Sequence, residues 1–106
     1  MEDLLKIIKK KGEDIGYDFI IRPTPTLDTY VIANKICSRV TLVGKTEDGD
    51  ILLYKVNMRK WKWADAEGFT MDEMVDLLFD EIFIKVSLSE YGSTEEICDK
   101  ITSHLK

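Results

Sequence analysis

The chain has 106 residues, 44% of them hydrophobic, and a net charge of −5. A chain of this length is expected to form a single domain, residues 1–106, that buries roughly 65% of its unfolded surface. This composition excludes an intrinsically disordered chain, and no apolar run approaches the ~18 residues that a membrane span needs. Glu2 and Asp3 stand where a signal peptide would carry positive charge, so we expect a cytoplasmic protein.

The charge is distributed unevenly along the chain. Residues 1–63 carry 12 basic and 9 acidic side chains, whereas residues 64–106 carry 3 basic and 11 acidic side chains. The two parts therefore have net charges of +3 and −8. This asymmetry predicts that the folded protein has a basic region and an acidic region.

A short amphipathic helix is predicted over residues 2–11, with acids at its start and lysines at its end. Its apolar residues are Leu4, Leu5, Ile7 and Ile8. Gly12 and Gly16 are expected to end it. The first strand is predicted over residues 17–22, and the two prolines that follow close it because proline donates no backbone hydrogen bond.

The middle of the chain predicts further strands. Residues 26–34 are compatible with a strand or with a helical turn, and their β-branched and aromatic side chains favour the strand. The segment from Ile36 to Trp63 predicts a hairpin, because apolar and polar residues alternate on both sides of Asp48 and Gly49. An Asp-Gly pair between two strand patterns is the strongest short-range signal for a hairpin.

A second helix is predicted to begin at Thr70, which forms a capping box with Glu73. Its apolar stripe is Met71, Met74, Val75, Leu78 and Ile82. Residues 82–88 alternate between apolar and polar side chains, which is compatible with the end of this helix or with a further strand. Ser93 and Glu96 form a second capping box at the start of a last helix. The apolar stripe of that helix is Ile97, Ile101 and Leu105.

The predicted order of elements is therefore α-β-β-β-α-(β)-α. This order indicates the α+β class. We predict a single two-layer domain in which an antiparallel sheet of three to four strands packs helices on one face. The other face of such a sheet can remain in contact with water.

The sequence contains none of the motifs GxGxxG, GxxxxGK[ST], GxSxG and HExxH, which mark nucleotide-binding and catalytic sites. Its one histidine, His104, is expected to lie at a fraying, solvated helix end, where it complements the helix dipole. Cys37 and Cys98 lack a CxxC spacing and are interpreted as reduced thiols. We therefore predict that the protein is not an enzyme and uses no metal or cofactor.

The predicted helix that begins at Thr70 has an acidic face. At about 100° per residue, four carboxylates fall within one arc of this helix. They are Asp72, Glu73, Asp76 and Asp80. Residues 65–81 contain seven acids and no lysine or arginine, so like charges repel one another at i, i+4 spacing. The face is interpreted either as a docking surface for a basic protein groove or as a solvated surface that keeps the protein soluble.

A second candidate surface combines basic and aromatic side chains on the predicted hairpin. If the strand after residue 51 is regular, its even-numbered residues face the helices and its odd-numbered residues face the opposite side. The candidate residues for binding nucleic acid are Arg39, Lys55, Arg59, Trp61, Lys62 and Trp63. The alternative is a bulge near Met58 that turns both tryptophans towards the edge of the core.

In size, order of elements and acidic surface, the chain resembles some phage-encoded anti-CRISPR inhibitors. The resemblance rests on no shared motif and implies a non-enzymatic inhibitor that mimics nucleic acid. We therefore predict an inhibitor or adaptor whose acidic helix docks on a basic protein surface, such as that of a nucleic-acid-binding protein. The alternative is a nucleic-acid-binding module that uses the basic and aromatic residues. The opposite charges of the two surfaces also leave self-association open.

Overall fold

A computed structural model of the protein describes residues 1–24, 26, 28–34, 39–56, 70–88 and 92–105. The elements in these ranges are α1 (Glu2–Asp14), β1 (Phe19–Pro23), β2 (Thr29–Asn34), β3 (Arg39–Lys45), β4 (Ile51–Val56), α2 (Met71–Asp80), β5 (Ile82–Ser87) and α3 (Thr94–Leu105). The predicted α+β class is confirmed. The sheet has five strands in the described ranges instead of three to four, because both ambiguous segments, around residues 30 and 85, are strands.

The sheet is an antiparallel meander in which each strand pairs with the next one along the chain, in the order β1-β2-β3-β4-β5. The predicted hairpin is confirmed, since Lys45 pairs with Ile51 across a short turn. Gly49 adopts φ +87° in this turn, a conformation that glycine reaches without steric cost. The turn is also held by Thr46, whose Oγ1 accepts a hydrogen bond from the backbone N–H of Asp50 at 3.1 Å.

The helices are divided between the two faces of the sheet. On one face, strand residues such as Phe19, Val43 and Leu53 are buried against α1 and α3. On the other face, Leu42 packs against Leu78 of α2. The sequence predicted helices on one face only. Two covered faces are required because β2 and β3 bury apolar side chains on both sides.

Helix α1 continues through Gly12 to Asp14, so the prediction that Gly12 ends the helix was wrong. A Cβ atom at Gly12 would lie 2.7 Å from Cδ2 of Phe19, whose ring is fully buried. The glycine therefore serves the close approach of α1 to β1. Gly16, with φ +84°, follows the end of the helix.

The predicted helix starts are confirmed at α2 and α3. Thr70 Oγ1 accepts a hydrogen bond from the Glu73 N–H at 3.3 Å, and the Thr70 N–H donates to Glu73 Oε1 at 3.4 Å. Ser93 Oγ accepts from the Glu96 N–H at 3.2 Å. These bonds satisfy backbone donors that have no partner within their own helix.

Helix α3 is fixed at both ends. Near its start, Lys11 of α1 forms ion pairs with Glu95 at 2.8 Å and with Asp99 at 2.9 Å. At its end, the buried Nδ2 of Asn34 donates to the carbonyl oxygen of Leu105 at 2.9 Å. The last turn of α3 is thereby held on the sheet. None of the helices described above has the length and apolar character needed to cross a membrane.

Candidate functional site

The outward face of α2 carries three carboxylates around an exposed leucine. Glu73, Asp76 and Asp80 are exposed, and Leu77, which lies among them, is 39% exposed. These four residues follow the i, i+3, i+4, i+7 spacing that places side chains on one helix face. We call this face the acidic ridge.

Three of the four predicted acidic residues therefore share one exposed face. Asp72 belongs to α2, but its side chain lies outside the described part of the structure. Leu77 was missed, because it does not belong to the apolar stripe predicted for this helix and the opposite face was considered only for its charge. The helical spacing of Leu77, four residues after Glu73 and three residues before Asp80, could have placed it on the acidic face.

The acidic ridge is electrostatically unfavourable for the isolated helix. Helix α2 contains no lysine or arginine, and it ends at Asp80. A carboxylate in the last turn opposes the negative end of the helix dipole, and Asp76 repels Asp80 across one turn. The buried side of the same helix is anchored by Leu78, which is 1% exposed. The ridge thus combines an apolar centre with an acidic rim on a helix whose opposite side is packed in the core.

A second candidate surface is a cleft of about 240 Å³ between α3 and the β4–β5 part of the sheet. It is lined by Leu53, Lys55, Val86, Lys100, Ser103 and His104. The strand register explains this grouping, because Leu53 pairs with Val86 on the face that α3 covers. We call this site the basic cleft.

His104 is half-buried beside the basic cleft, contrary to the prediction of a fraying, solvated position. The bond from Asn34 to the neighbouring Leu105 carbonyl explains the difference. The pKa of His104 is lowered from its ordinary value of 6.5, first by burial and then by the positive charges of Lys55, Arg39 and Lys100. Its imidazole is therefore mostly neutral at pH 7 and offers one donor and one acceptor.

Only two of the six residues predicted for the basic and aromatic surface belong to the described part of the structure. Arg39 is exposed, Lys55 is partly buried, and residues 57–69, which include Arg59, Trp61, Lys62 and Trp63, lie outside the described residues. The prediction that odd-numbered residues of this strand face away from the helices was wrong for Lys55. Its strand neighbour Leu53 is buried against α1 and α3 on the same face.

Two lining residues of the basic cleft, Lys100 and His104, were missed by sequence reasoning. They are four residues apart on α3, and this spacing puts them on one side of that helix. The sequence alone gave no reason to connect them with Arg39 and Lys55, which come from a distant hairpin. Packing of α3 on the sheet brings them together.

The described thiol belongs to the core. Cys98 is fully buried, and its Sγ donates a weak hydrogen bond to the carbonyl oxygen of Leu4 at 3.7 Å. Burial raises the pKa of Cys98 to about 11, with further contributions from Glu95 and Asp99 and an opposing one from Lys11. Cys37 lies outside the described ranges. Within those ranges, no three metal-ligating side chains form a group that could hold a metal ion.

No protein-family model, curated protein or solved structure matches this chain. Function is therefore inferred from the geometry and charge of the acidic ridge and the basic cleft.

Proposed function

We propose that the protein is a small non-enzymatic inhibitor or adaptor, acting in the cytoplasm, that docks its acidic ridge on a basic surface of a partner protein. The observation that supports this proposal is the exposure of Leu77 at the centre of three exposed carboxylates. An apolar centre with a charged rim is the usual arrangement of a protein–protein interface.

The ridge has the form of a helix that lies in a groove. In this mode of recognition, side chains at i, i+3, i+4 and i+7 contact the partner. Leu77 would enter an apolar depression, and Glu73, Asp76 and Asp80 would face lysine or arginine side chains around it. Complementary charge accelerates association and disfavours wrong partners. The acids support a partner with a basic groove, and such grooves are typical of proteins that bind nucleic acid.

Small size and an acidic surface are the two features shared with phage-encoded anti-CRISPR inhibitors that bear on this proposal. A row of carboxylates on a helix presents negative charge at regular intervals, as the phosphate backbone of a nucleic acid does. A protein of this kind would occupy the nucleic-acid site of its target, and its binding would not depend on any base sequence. The net charge of −5 supports a protein partner over nucleic acid itself.

The test compares three tagged forms of the protein in bacterial lysate, with and without nuclease treatment. The ridge variant carries Glu73→Gln, Asp76→Asn and Asp80→Asn, in which the glutamine retains the capping box at Thr70. The control variant carries Glu13→Gln, Asp14→Asn and Glu47→Gln, which remove the same charge at exposed positions elsewhere. Captured proteins are identified by mass spectrometry, and their binding is then measured with purified components at low and high salt.

We expect the native and control proteins to retain a partner that the ridge variant loses. Leu77→Ala should also weaken binding, by about tenfold and with little change in salt dependence, because it removes apolar area and no charge. Equal losses in the ridge and control variants would contradict the proposal. Capture that disappears with nuclease but survives in the ridge variant would instead support the nucleic-acid-binding alternative.

A further inference from the structure

More positive charge surrounds the basic cleft than is needed to offset the partial negative charge of the nearby helix end. The cleft lies near the C-terminal end of α3, where a helix has a partial charge equivalent to about −0.5. Three side chains with full positive charges, Arg39, Lys55 and Lys100, act on His104 at this point. One cation would offset the helix end. Lys100 lies on α3 itself and can fill that role, so the charges of Arg39 and Lys55 need a different explanation.

The surroundings of two of these cations point to a ligand. Within the described part of the chain, the ion pairs involve Lys9 and Lys11 of α1 and leave Lys55 and Arg39 without a carboxylate partner. Lys55 is partly buried beside the apolar Leu53. A cation that is partly removed from water without a paired anion is costly, and an anion bound in the cleft would offset that cost.

We propose that the basic cleft binds the phosphate group of a small phosphate monoester. Lys55 and Lys100 supply charge to the phosphate, and the hydroxyl of Ser103 and the imidazole of His104 supply further hydrogen-bond donors. The organic part of the monoester lies on the floor formed by Leu53 and Val86.

The size and composition of the cleft favour a small ligand. A cavity of about 150 Å³ can hold benzene, so 240 Å³ accommodates a phosphate with a compact apolar group. Ile84 pairs with Lys55 in the sheet and is 44% exposed, so an exposed apolar side chain neighbours this lysine. The net charge of −5 and the acidic ridge repel a long polyanion far more than a single phosphate. This site is distinct from the acidic ridge and does not depend on the function proposed for it.

The test is an NMR titration of the full chain with inorganic phosphate, phenyl phosphate and a single-stranded oligonucleotide in separate experiments. The cleft variant carries Lys55→Gln and Lys100→Gln. The control variant carries Lys6→Gln and Lys10→Gln, which remove the same charge from exposed positions of α1. Backbone amide shifts report the binding site, and the titration of His104 is followed with and without ligand. Lys100→Gln alone, at an exposed position of α3, tests the site without altering the sheet.

We expect saturable one-to-one binding of phenyl phosphate, about fivefold tighter than binding of inorganic phosphate because the ring covers apolar floor. Each lost cation should weaken binding by about tenfold, and the control variant should bind as the native protein does. A bound dianion should also raise the pKa of His104. The proposal is overturned if neither phosphate saturates, if the cleft and control variants respond alike, or if only the oligonucleotide binds.

Discussion

Neutralising one acid of the ridge should stabilise the fold while it weakens partner binding. In Asp80→Asn the repulsion between Asp76 and Asp80 is removed, which is worth about 0.2 to 0.5 kcal/mol for an i, i+4 pair. The same change removes a negative charge from the last turn of α2, where it opposes the helix dipole by about 0.3 to 1 kcal/mol. Together these effects increase the free energy of unfolding by about 0.5 to 1.5 kcal/mol, which raises Tm by about 2 to 7 °C.

The assay is thermal unfolding followed by circular dichroism at low salt and in 1 M NaCl. At about 1 M salt the Debye length falls to about 3 Å, so most of the gain should disappear. Asp3→Asn is the matched control, because Asp3 lies in the first turn of α1, where an acid is favourable. The same chemical change should therefore lower Tm at Asp3 and raise it at Asp80. An unchanged or lower Tm for Asp80→Asn at low salt would refute this account of the ridge.

Four further predictions concern the core, the sheet-to-helix contact and two titratable groups. Gly12→Ala should lower stability by about 1 kcal/mol although alanine favours helices, because its Cβ would lie 2.7 Å from Phe19; urea unfolding measures the change, and a stabilised variant would contradict the packing described. Asn34→Ala should cost about 2 kcal/mol in the same assay and increase amide hydrogen exchange in the last turn of α3, because it leaves a buried carbonyl without this donor. The unfolded chain binds a proton at His104 near pH 6.5 while the folded state keeps the imidazole neutral, so stability should fall as the pH drops below 6.5 towards the lower folded pKa. His104→Gln should flatten that part of the stability curve, and an unaltered curve would contradict the assignment. With a pKa of about 11, Cys98 is roughly 0.1% thiolate at pH 8, so in a chain whose other cysteine is replaced it should react with a disulfide reagent only slowly until urea unfolds the protein.

Local signals in the sequence predicted most of the elements. The hairpin at Gly49 and the capping box at Thr70 were found because each depends on residues a few positions apart. The end of α1 was misjudged for the opposite reason. Gly12 is explained by Phe19, which belongs to the following strand, and helix propensity contains no information about that contact.

The acidic ridge could be predicted from local spacing in the sequence, whereas the basic cleft could not. The acidic face of α2 follows from helical spacing within ten residues, so Glu73, Asp76 and Asp80 were identified correctly as neighbours on one exposed face. The basic cleft joins residues from β4, β5 and α3, and its composition depends on which sheet face α3 covers. Lys55 was assigned to the wrong face because the apolar residues of β2 and β3 point to both sides, and alternation alone then leaves the covered face undetermined.

The acidic ridge and the basic cleft lie on opposite faces of the sheet. Helix α2 packs on one face of the sheet, and the basic cleft lies on the other face beside α3. The sheet separates them, so the acidic ridge is not neutralised by the cleft of the same molecule. Neutralising variants of one surface should therefore leave binding at the other intact, which makes the ridge and the cleft separable as functional units.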